Sequence, residues 1–276
     1  MSAGADLAFP PGGLQPRVIV LDCNATVVHR QDLTDGLAIL RVRPDGSSAP
    51  DFVPGQFIQL GLPCAPGQQG GEDRFEKRAY SIASSPANKE ALEILVALVP
   101  GGRLTPAIWA LKPGDACWVD PRPLGKFTLE DVPPGRDLVL VATGSGIAPY
   151  VSMLRTYARG GTEHRPERWN RCVVVHGVRR AEDLAYADEI RSRCSQDASL
   201  GYLPIVSREP ERSHWAGLRG RVQSVLGCLP LDPATCHVFL CGNPNMIEDV
   251  RATLVARGFK HGSPRRGGNL HTERYW

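Results

Sequence analysis

The hydrophobic positions follow two different patterns along the chain, and the first of them covers the N-terminal half. Short apolar runs there are broken by Gly, Pro and Asp, and one helical segment over residues 105–111 interrupts them. Many short strands separated by turn residues are typical of an antiparallel barrel or sandwich. We predict these strands over residues 18–28, 37–42, 56–60, 79–83, 92–99, 117–119 and 126–129.

In the C-terminal half, compact apolar runs alternate with helical stretches. This order of strand and helix is typical of a parallel sheet covered by helices. We predict strands over residues 138–142, 172–176, 202–206 and 237–241, and helices over residues 148–158, 181–193, 222–226 and 245–257.

The change of pattern falls where two prolines and a glycine cluster at residues 133–135. The sequence therefore predicts two domains, an antiparallel β domain over residues 17–134 and an α/β domain over residues 135–276. Residues 1–16 precede them as a loose arm that contains several Gly and Pro residues.

Composition narrows the class of protein. Of the 276 residues, 42% are hydrophobic and 22% are charged, as in ordinary globular proteins. No apolar run approaches ~18 residues, so no membrane span is predicted. Residues 1–16 lack the basic start and apolar stretch of a signal peptide, and we expect a cytoplasmic protein. The eight cysteines include no C-x-x-C pair, so we expect no disulfide framework and no metal or iron–sulfur site.

Charge is distributed unevenly between the two halves. Residues 1–134 carry a net charge of −3 and residues 135–276 a net charge of +6, and 19 of the 20 basic residues in the second half are arginine. A codon bias toward arginine is one explanation, and an anionic partner for the second half is the other. Nucleic-acid binding has little support, because the excess charge is modest and no nucleic-acid module is recognisable.

A glycine turn follows the first predicted strand of the second half. Thr143, Gly144, Gly146 and Pro149 lie between this strand and the next helix. The glycines let a ligand approach the backbone, and the helix N-terminus offers unpaired N–H groups to a phosphate. A tight turn without a ligand is the alternative, but a position at the carboxyl edge of a parallel sheet favours a binding site. The turn departs from the G-x-G-x-x-G pattern, since Pro149 replaces the third glycine.

Arg179, Arg208 and Arg221 form a second candidate site. Each follows a predicted strand or begins the next helix, so the three guanidiniums share one sheet edge. Together they could bind one phosphate, and a 2′-phosphate would select NADP over NAD. The alternative is that each is a solvated surface arginine.

In the first half, one strand carries Arg78, Ala79, Tyr80 and Ser81. A cation, an aromatic ring and a hydroxyl on one strand suit a flavin nucleotide, although this pattern alone is more often structural. A glycine turn at residues 101–102 then enters a helix, with Thr105 near its start, and offers another place for an anion.

Six segments carry a resemblance to a known family, which covers roughly residues 18–276. They are residues 78–81, 101–106, 142–149, 206–209, 241–246 and the terminal 273–276. In this order they resemble the bacterial-type ferredoxin/flavodoxin–NADP(+) reductases. The resemblance implies a six-stranded antiparallel β-barrel that binds FAD, followed by an α/β parallel-sheet domain that binds NADP(H). Residues 64–74 are longer and richer in Gly and Gln than the family pattern.

The resemblance also implies roles for the residues of the FAD site. Arg78 would hold the pyrophosphate, Tyr80 would stack on the isoalloxazine, and Ser81 would bond the reactive flavin edge near N5. Ala79 lies within the same motif, and Gly102 and Thr105 would support the diphosphate. Tyr275 and Trp276 would pack on FAD, over its adenine side.

For NADP, the resemblance places Thr143, Gly144, Gly146 and Pro149 under the diphosphate. Arg179, Arg208 and Arg221 would clasp the 2′-phosphate. Cys241 and Gly242 would approach the nicotinamide, and Glu273 would exchange protons. Ser81, Cys241 and Glu273 are thus the predicted catalytic residues, and none of them needs to be a nucleophile.

The implied activity is hydride transfer between nicotinamide and flavin, with single electrons passed to or from an acidic ferredoxin or flavodoxin by a monomeric enzyme. A reductase component of an oxygenase system, or a general NADPH-flavin reductase, is a second hypothesis. A flavin-binding redox sensor without turnover is a third, and the intact motifs speak against it.

Overall fold

The computed structural model of the protein describes residues 23–63, 75–158, 169–262 and 267–275. Its first sheet has six strands in the order β4-β3-β6-β1-β2-β5, and all of their pairings are antiparallel. A bridge between Ile82 and Ile94 joins the two outer strands and closes the sheet into a barrel. The strands are β1 (Ala25–Thr34), β2 (Leu37–Pro44), β3 (Phe57–Pro63), β4 (Phe75–Ser81), β5 (Leu92–Ala97) and β6 (Ala116–Val119).

The barrel has a core of its own. Ile58 and Leu60 of β3 and Ile94 of β5 belong to this core, and each is almost fully buried. Helix α1 (Thr105–Trp109) packs on this core through Ile108, its buried residue, and Pro106 lies in its first turn. Pro suits this position because its backbone has no N–H group to leave unpaired.

The second sheet is parallel throughout, in the order β10-β9-β8-β7-β11-β12. The strand order reverses between β7 and β11, and such a switch point opens a crevice at the carboxyl ends of the strands. Strands and helices of this half are β7 (Arg136–Thr143), α2 (Ala148–Tyr157), β8 (Trp169–Val178), α3 (Ala187–Gln196), β9 (Leu200–Val206), β10 (Leu218–Arg219), α4 (Val222–Leu226), β11 (Cys236–Gly242), α5 (Pro244–Ala256) and β12 (Leu270–Arg274). Of these helices, none has the length and apolar character needed to cross a bilayer.

The predicted fold class is therefore confirmed, but the strand predicted over residues 126–129 is wrong. Six strands already close the barrel, and residues 126–129 form no strand. Phe127 and Leu129 are instead buried in a core that they share with Tyr150 and Met153 of α2. Their apolar spacing reflects this contact with the second half.

Two further differences follow from local geometry. The helix predicted over residues 181–193 is divided into a 3-10 turn (Ala181–Asp183) and α3, because Tyr186 adopts a positive φ of 60° that no helix continues through. Strands β10 and β12 were not predicted, since β10 has only two residues and β12 is mostly polar. The arm over residues 1–16, residues 18–22 of the first predicted strand and the segment 64–74 lie outside the described residues.

An aromatic contact joins the two halves. Phe127, which follows the barrel, packs edge-on against Phe239 of β11 with 5.3 Å between ring centroids. Both rings are buried. The barrel and the parallel sheet therefore share apolar core at their junction.

We predict that Phe239→Ala destabilises the protein by about 3 to 5 kcal/mol, because it leaves a cavity in this shared core. Urea unfolding measures the change. Val255→Ala on α5 is the control, since Val255 is 47% exposed, and it should change stability by about 0.5 kcal/mol or less. A similar small change for Phe239→Ala would contradict a core role for the contact.

Candidate functional site

Four polar side chains from both halves meet between the end of β4 and the carboxyl end of β11. Tyr275 donates its hydroxyl hydrogen to Ser81 Oγ at 2.6 Å, and Ser81 donates to Glu273 Oε1 at 3.2 Å. Cys241 also hydrogen-bonds with Tyr275. The parallel register pairs Cys241 of β11 with Glu273 of β12, so the two residues lie side by side on neighbouring strands. We call Ser81, Cys241, Glu273 and Tyr275 the interdomain cluster.

Burial keeps this cluster largely neutral. Burial raises the pKa of Glu273 to about 7, which outweighs the opposite effect of the hydrogen bond from Ser81. It also raises the pKa of the Cys241 thiol and of the Tyr275 phenol well above their usual ranges. Cys241 is therefore a neutral thiol, while Glu273 can gain or lose a proton near neutral pH.

The Tyr80 side chain on β4 fits a ligand. Its hydroxyl is buried without a hydrogen-bond partner among the described residues, and burial raises its pKa to about 12. A buried hydroxyl without a partner is costly, so a ligand that supplies one would be favoured. The neighbouring Arg78 and Ala79 are exposed, which leaves both open to the same ligand.

The predicted FAD-diphosphate residues also lie together. Thr105 closes the glycine turn, since its Oγ1 accepts from Val99 N–H at 3.2 Å and donates to Val99 O at 3.0 Å. A Cβ at Gly102 would lie 2.8 Å from Thr105 Oγ1. Arg103 in this turn and Arg78 on β4 both pair with Glu76, at 3.4 and 3.0 Å. One carboxylate thus links the turn to the strand that carries Arg78.

In the parallel half, a 3-10 turn (Gly144–Ile147) connects β7 to α2. A Cβ at Gly146 would lie 2.4 Å from Cys241 O, and a Cβ at Gly242 would lie 2.4 Å from Thr143 Oγ1. Gly242 also has a φ of +126°, which L side chains rarely adopt. Glycine is therefore required at both positions by the close approach of the turn to the end of β11.

Thr143 and Pro149 flank this turn. Thr143 Oγ1 accepts a hydrogen bond from the backbone N–H of Asn243 at 2.9 Å, which ties the ends of β7 and β11 together. Pro149 is buried in the first turn of α2. Gly144 has a positive φ of 53°, and a Cβ there would meet no atom within 4 Å among the described residues. All four predicted turn residues thus lie at the switch point.

His176 is a residue that the sequence reasoning missed. It is fully buried on β8, with Nε2 3.1 Å from Gly144 O and Nδ1 3.2 Å from the Tyr202 hydroxyl. Because the carbonyl can only accept, we assign the proton to Nε2 and the acceptor role to Nδ1. Burial lowers the pKa of His176 to about 4, so the ring stays neutral and supports the turn. The available signal was a histidine inside an otherwise apolar strand.

The three predicted arginines lie at the same edge of the sheet. Arg179 follows β8, Arg208 follows β9, and Arg221 is the N-cap residue of α4. The backbone N–H of Arg208 donates to Arg179 O at 2.8 Å, which holds these two segments side by side. All three side chains are exposed, and none forms an ion pair or hydrogen bond within the described residues. We call them the arginine trio.

Arg180 differs from its neighbour in the trio. Its guanidinium lies 3.6 Å from Glu182, whereas Arg179 has no such partner in the described part of the chain. Of the two guanidiniums, that of Arg179 is thus the one without a partner among the described residues. At the C-terminus, Tyr275 lies beside Ser81, while Trp276 is outside the described residues.

Known proteins share both halves. Residues 24–129 match the oxidoreductase FAD-binding domain and residues 140–252 match the oxidoreductase NAD-binding domain. The ferredoxin–NADP reductase of Pseudomonas aeruginosa is 35% identical over 231 residues, which are 78% of this chain and 83% of the relative. The flavodoxin/ferredoxin–NADP reductase of Escherichia coli is 36% identical over 260 residues, or 91% and 97% of the two chains.

Solved structures agree with this result. A ferredoxin NADP+ reductase from Neisseria gonorrhoeae with bound FAD and NADP has a TM-score of 0.76 at 25% identity, and the match covers 92% of this chain and all of that one. A cytochrome P450 reductase from Amycolatopsis has a TM-score of 0.71 at 27% identity, and the match covers 91% of this chain and 69% of that one.

The barrel, the parallel sheet and the cluster between them define an oxidoreductase that uses a flavin and a nicotinamide nucleotide. Within that class, the chain belongs to the ferredoxin/flavodoxin–NADP reductase family.

We predict that His176 makes the protein less stable in acid. The unfolded histidine binds a proton near pH 6.5 and the folded one only near pH 4, so stability falls as the pH decreases between these values. The loss due to His176 is about 2 to 3 kcal/mol between pH 7 and pH 4.5. Urea unfolding of the wild type and of His176→Gln, each at pH 7 and at pH 4.5, measures this loss of stability.

The variant should be less stable at pH 7 but lose less stability on acidification. His271, whose pKa is also lowered to about 4, is present in both proteins and cancels in the comparison. An equal loss of stability in the two proteins would contradict the assignment of the effect to His176.

Proposed function

We propose that the protein moves electrons between NADP(H) and a one-electron protein carrier through bound FAD. The observation that carries this proposal is the interdomain cluster, in which Ser81 at the end of β4 touches Glu273 of β12 and Tyr275, which follows that strand. Hydride transfer needs the flavin and the nicotinamide in contact, so their binding halves must open onto one shared site.

On the barrel side, we assign Arg78 to the FAD pyrophosphate, with the turn at Gly102 and Thr105 beside it. Tyr80 lies against the flavin in this proposal, where its unpaired hydroxyl gains a partner. Bound FAD supplies the ability to accept a hydride and to release electrons one at a time. Ser81 orients the flavin edge through its hydroxyl, which Tyr275 and Glu273 hold in place.

On the parallel side, the turn from Thr143 to Pro149 receives the NADP diphosphate. The arginine trio binds the 2′-phosphate, because its guanidiniums are exposed and carry no ion pair within the described residues. Cys241 and Gly242 flank the nicotinamide. A neutral, buried thiol at this position adds no negative charge beside the nicotinamide.

Glu273 is the proton-exchanging group of the proposal. Its carboxyl accepts a hydrogen bond from Ser81, and Glu273 is one of the residues that line a cavity of about 220 Å³. Lys126, His261 and Thr272 also line this cavity, whose polar walls suit water. Glu273 can therefore exchange protons between the site and solvent.

Several relatives are named for ferredoxin and flavodoxin, and an acidic carrier of this kind is the partner we propose. The net charge of +6 on residues 135–276 would attract it. We also propose that the protein is a monomer and that it acts in the cytoplasm. The similarity to the P450 reductase from Amycolatopsis supports a second candidate, a reductase that serves an oxygenase.

The test of the proposal is an anaerobic titration of the purified, FAD-loaded protein. We predict that NADPH bleaches the flavin absorbance in preference to NADH, and that Arg208→Ala raises KM for NADPH about tenfold or more. The reason is the loss of charge-assisted hydrogen bonds to the 2′-phosphate, while KM for NADH should stay nearly constant.

Arg180→Ala is the matched control, since Arg180 is also exposed but pairs with Glu182. Equal effects of Arg208→Ala on both nucleotides would remove the 2′-phosphate assignment. Flavin that neither nucleotide bleaches would refute the activity. Fast turnover with an oxygenase partner, and little with ferredoxin or flavodoxin, would select the second candidate.

We predict a second effect at Glu273. Its pKa of about 7 makes the carboxyl a proton donor below this pH and a proton acceptor above it, so turnover should change across pH 7. Glu273→Gln should abolish that change and lower turnover by up to about a hundredfold. Turnover measured between pH 5.5 and pH 9 at constant FAD content tests this.

Glu248→Gln is the control, because Glu248 is an exposed carboxylate that pairs with Arg251 and Arg274 near the same strand. It should leave the pH profile unchanged. If Glu273→Gln keeps the inflection near pH 7, another group exchanges the proton.

A further inference from the structure

Arg155, in the last turn of α2, contacts both halves of the protein. Its Nη1 donates to Ala83 O at 3.0 Å and lies 2.7 Å from Glu93 Oε1, and both of these partners belong to the barrel. Its Nε and Nη2 donate to the two carboxylate oxygens of Glu189 on α3, at 2.9 and 2.7 Å. Every nitrogen of this guanidinium is therefore engaged.

The partners of Arg155 form a network of their own around the buried carboxylate of Glu93. Glu93 is only 4% exposed in its side chain, and it also accepts hydrogen bonds from Arg41 at 2.9 Å and from the Tyr186 hydroxyl at 3.1 Å. The Arg155 guanidinium lies 5.3 Å from the centre of the Tyr186 ring. We call Arg41, Glu93, Arg155, Tyr186 and Glu189 the Arg155 network.

Two features indicate that this network fixes a particular geometry as well as adding stability. The two bonds of Arg155 to Glu189 and its bonds to Glu93 and Ala83 O fix the orientation of the guanidinium. Tyr186 is also the one non-glycine residue with a positive φ among the described residues. Strain of this kind persists where the surroundings require a particular geometry.

Helix α2 connects this network to both ligand sites. Its N-terminal end continues directly from the Gly144–Ile147 turn, where we place the NADP diphosphate. In the middle of the helix, Ser152 Oγ donates to Ser84 O at 2.7 Å, and in its last turn Arg155 donates to Ala83 O. Residues 83 and 84 follow Ser81 by two and three positions. One helix thus spans the distance from the nucleotide turn to the backbone behind the flavin serine.

We propose that Arg155 is a positioning residue that sets the NADP turn and Ser81 at a constant separation, so that nicotinamide and flavin meet in transfer geometry. The interaction acts through α2, and Ser152 assists it. Arg155 itself touches neither ligand. The inference deepens the proposed function and rests on it.

Two variants separate positioning from folding. Arg155→Met removes the network but keeps a long apolar side chain, and Arg155→Lys keeps the charge but not the geometry of the guanidinium. Arg193→Met is the matched control, since Arg193 also pairs with Glu189, at 3.2 Å, and has no bond to the barrel among those in the described part of the chain. Ser152→Ala removes one hydrogen bond and no charge.

The first measurement is the single-turnover rate of flavin bleaching at saturating NADPH, together with Kd for NADP+. We expect Arg155→Met to slow the transfer about tenfold or more, with a change of less than about threefold in Kd, because small displacements of reacting groups are costly in rate. Arg155→Lys should be intermediate, Ser152→Ala should slow transfer less, and Arg193→Met should match the wild type.

The second measurement does not depend on turnover. Hydrogen–deuterium exchange of residues 82–93 is followed in the FAD-loaded protein with and without NADP+. We expect NADP+ to slow exchange there in the wild type and in Arg193→Met, but not in Arg155→Met. In the wild type, slower exchange would show that NADP+ binding at the Gly144–Ile147 turn stabilises the backbone that follows Ser81.

The outcomes distinguish the inference from the proposed function. If wild-type protein fails to bleach with NADPH, the proposed function fails. If wild-type protein bleaches and Arg155→Met transfers hydride at the wild-type rate, or keeps the NADP+ effect on exchange, the inference is overturned. If Arg155→Met loses FAD, the test rests on Arg155→Lys and Ser152→Ala. Wild-type rates of hydride transfer in both variants would then overturn the inference.

Discussion

The attachment of α2 to the backbone that follows β4 is the interaction on which the site depends. The barrel and the parallel sheet share no strand pairing in the described part of the chain, so side chains join them. Ser152 and Arg155 provide directional bonds to residues 83 and 84, while Phe127 and Phe239 provide apolar contact nearby. Directional bonds set the position, and apolar burial supplies the stability.

The interdomain cluster exists only because this junction holds. Ser81 and Glu273 are 192 residues apart in sequence, yet their oxygens are 3.2 Å apart. At that edge the protein keeps ionisable groups neutral, with His176 and Cys241 buried and Glu273 able to titrate near pH 7. A site with few permanent charges suits a hydride acceptor, whose own charge changes during the reaction. Charge is instead concentrated at the exposed arginine trio, which the incoming nucleotide would contact first.

The sequence predicted some parts of this arrangement well. The two patterns of apolar spacing predicted the two sheets, and Gly146 of the predicted glycine turn lies where the backbone of Cys241 approaches closely. The arginine trio could be found because each member follows a strand of one parallel sheet. The run over residues 126–129 misled, since a buried contact between the halves has the same alternation as a barrel strand. Strand β12 escaped prediction because its burial comes from its neighbour β11 and not from its own composition.

By itself, therefore, the sequence determined the fold class, the turns and the types of chemistry available at each strand end. These properties depend on residues close together in the chain, where spacing, backbone freedom and side-chain type are visible. Only the tertiary structure decided which groups meet: Tyr275 with Ser81, His176 with Gly144, and Arg155 with Glu93. Such contacts join residues far apart in sequence, and they are set by how two sheets pack, which no local pattern encodes.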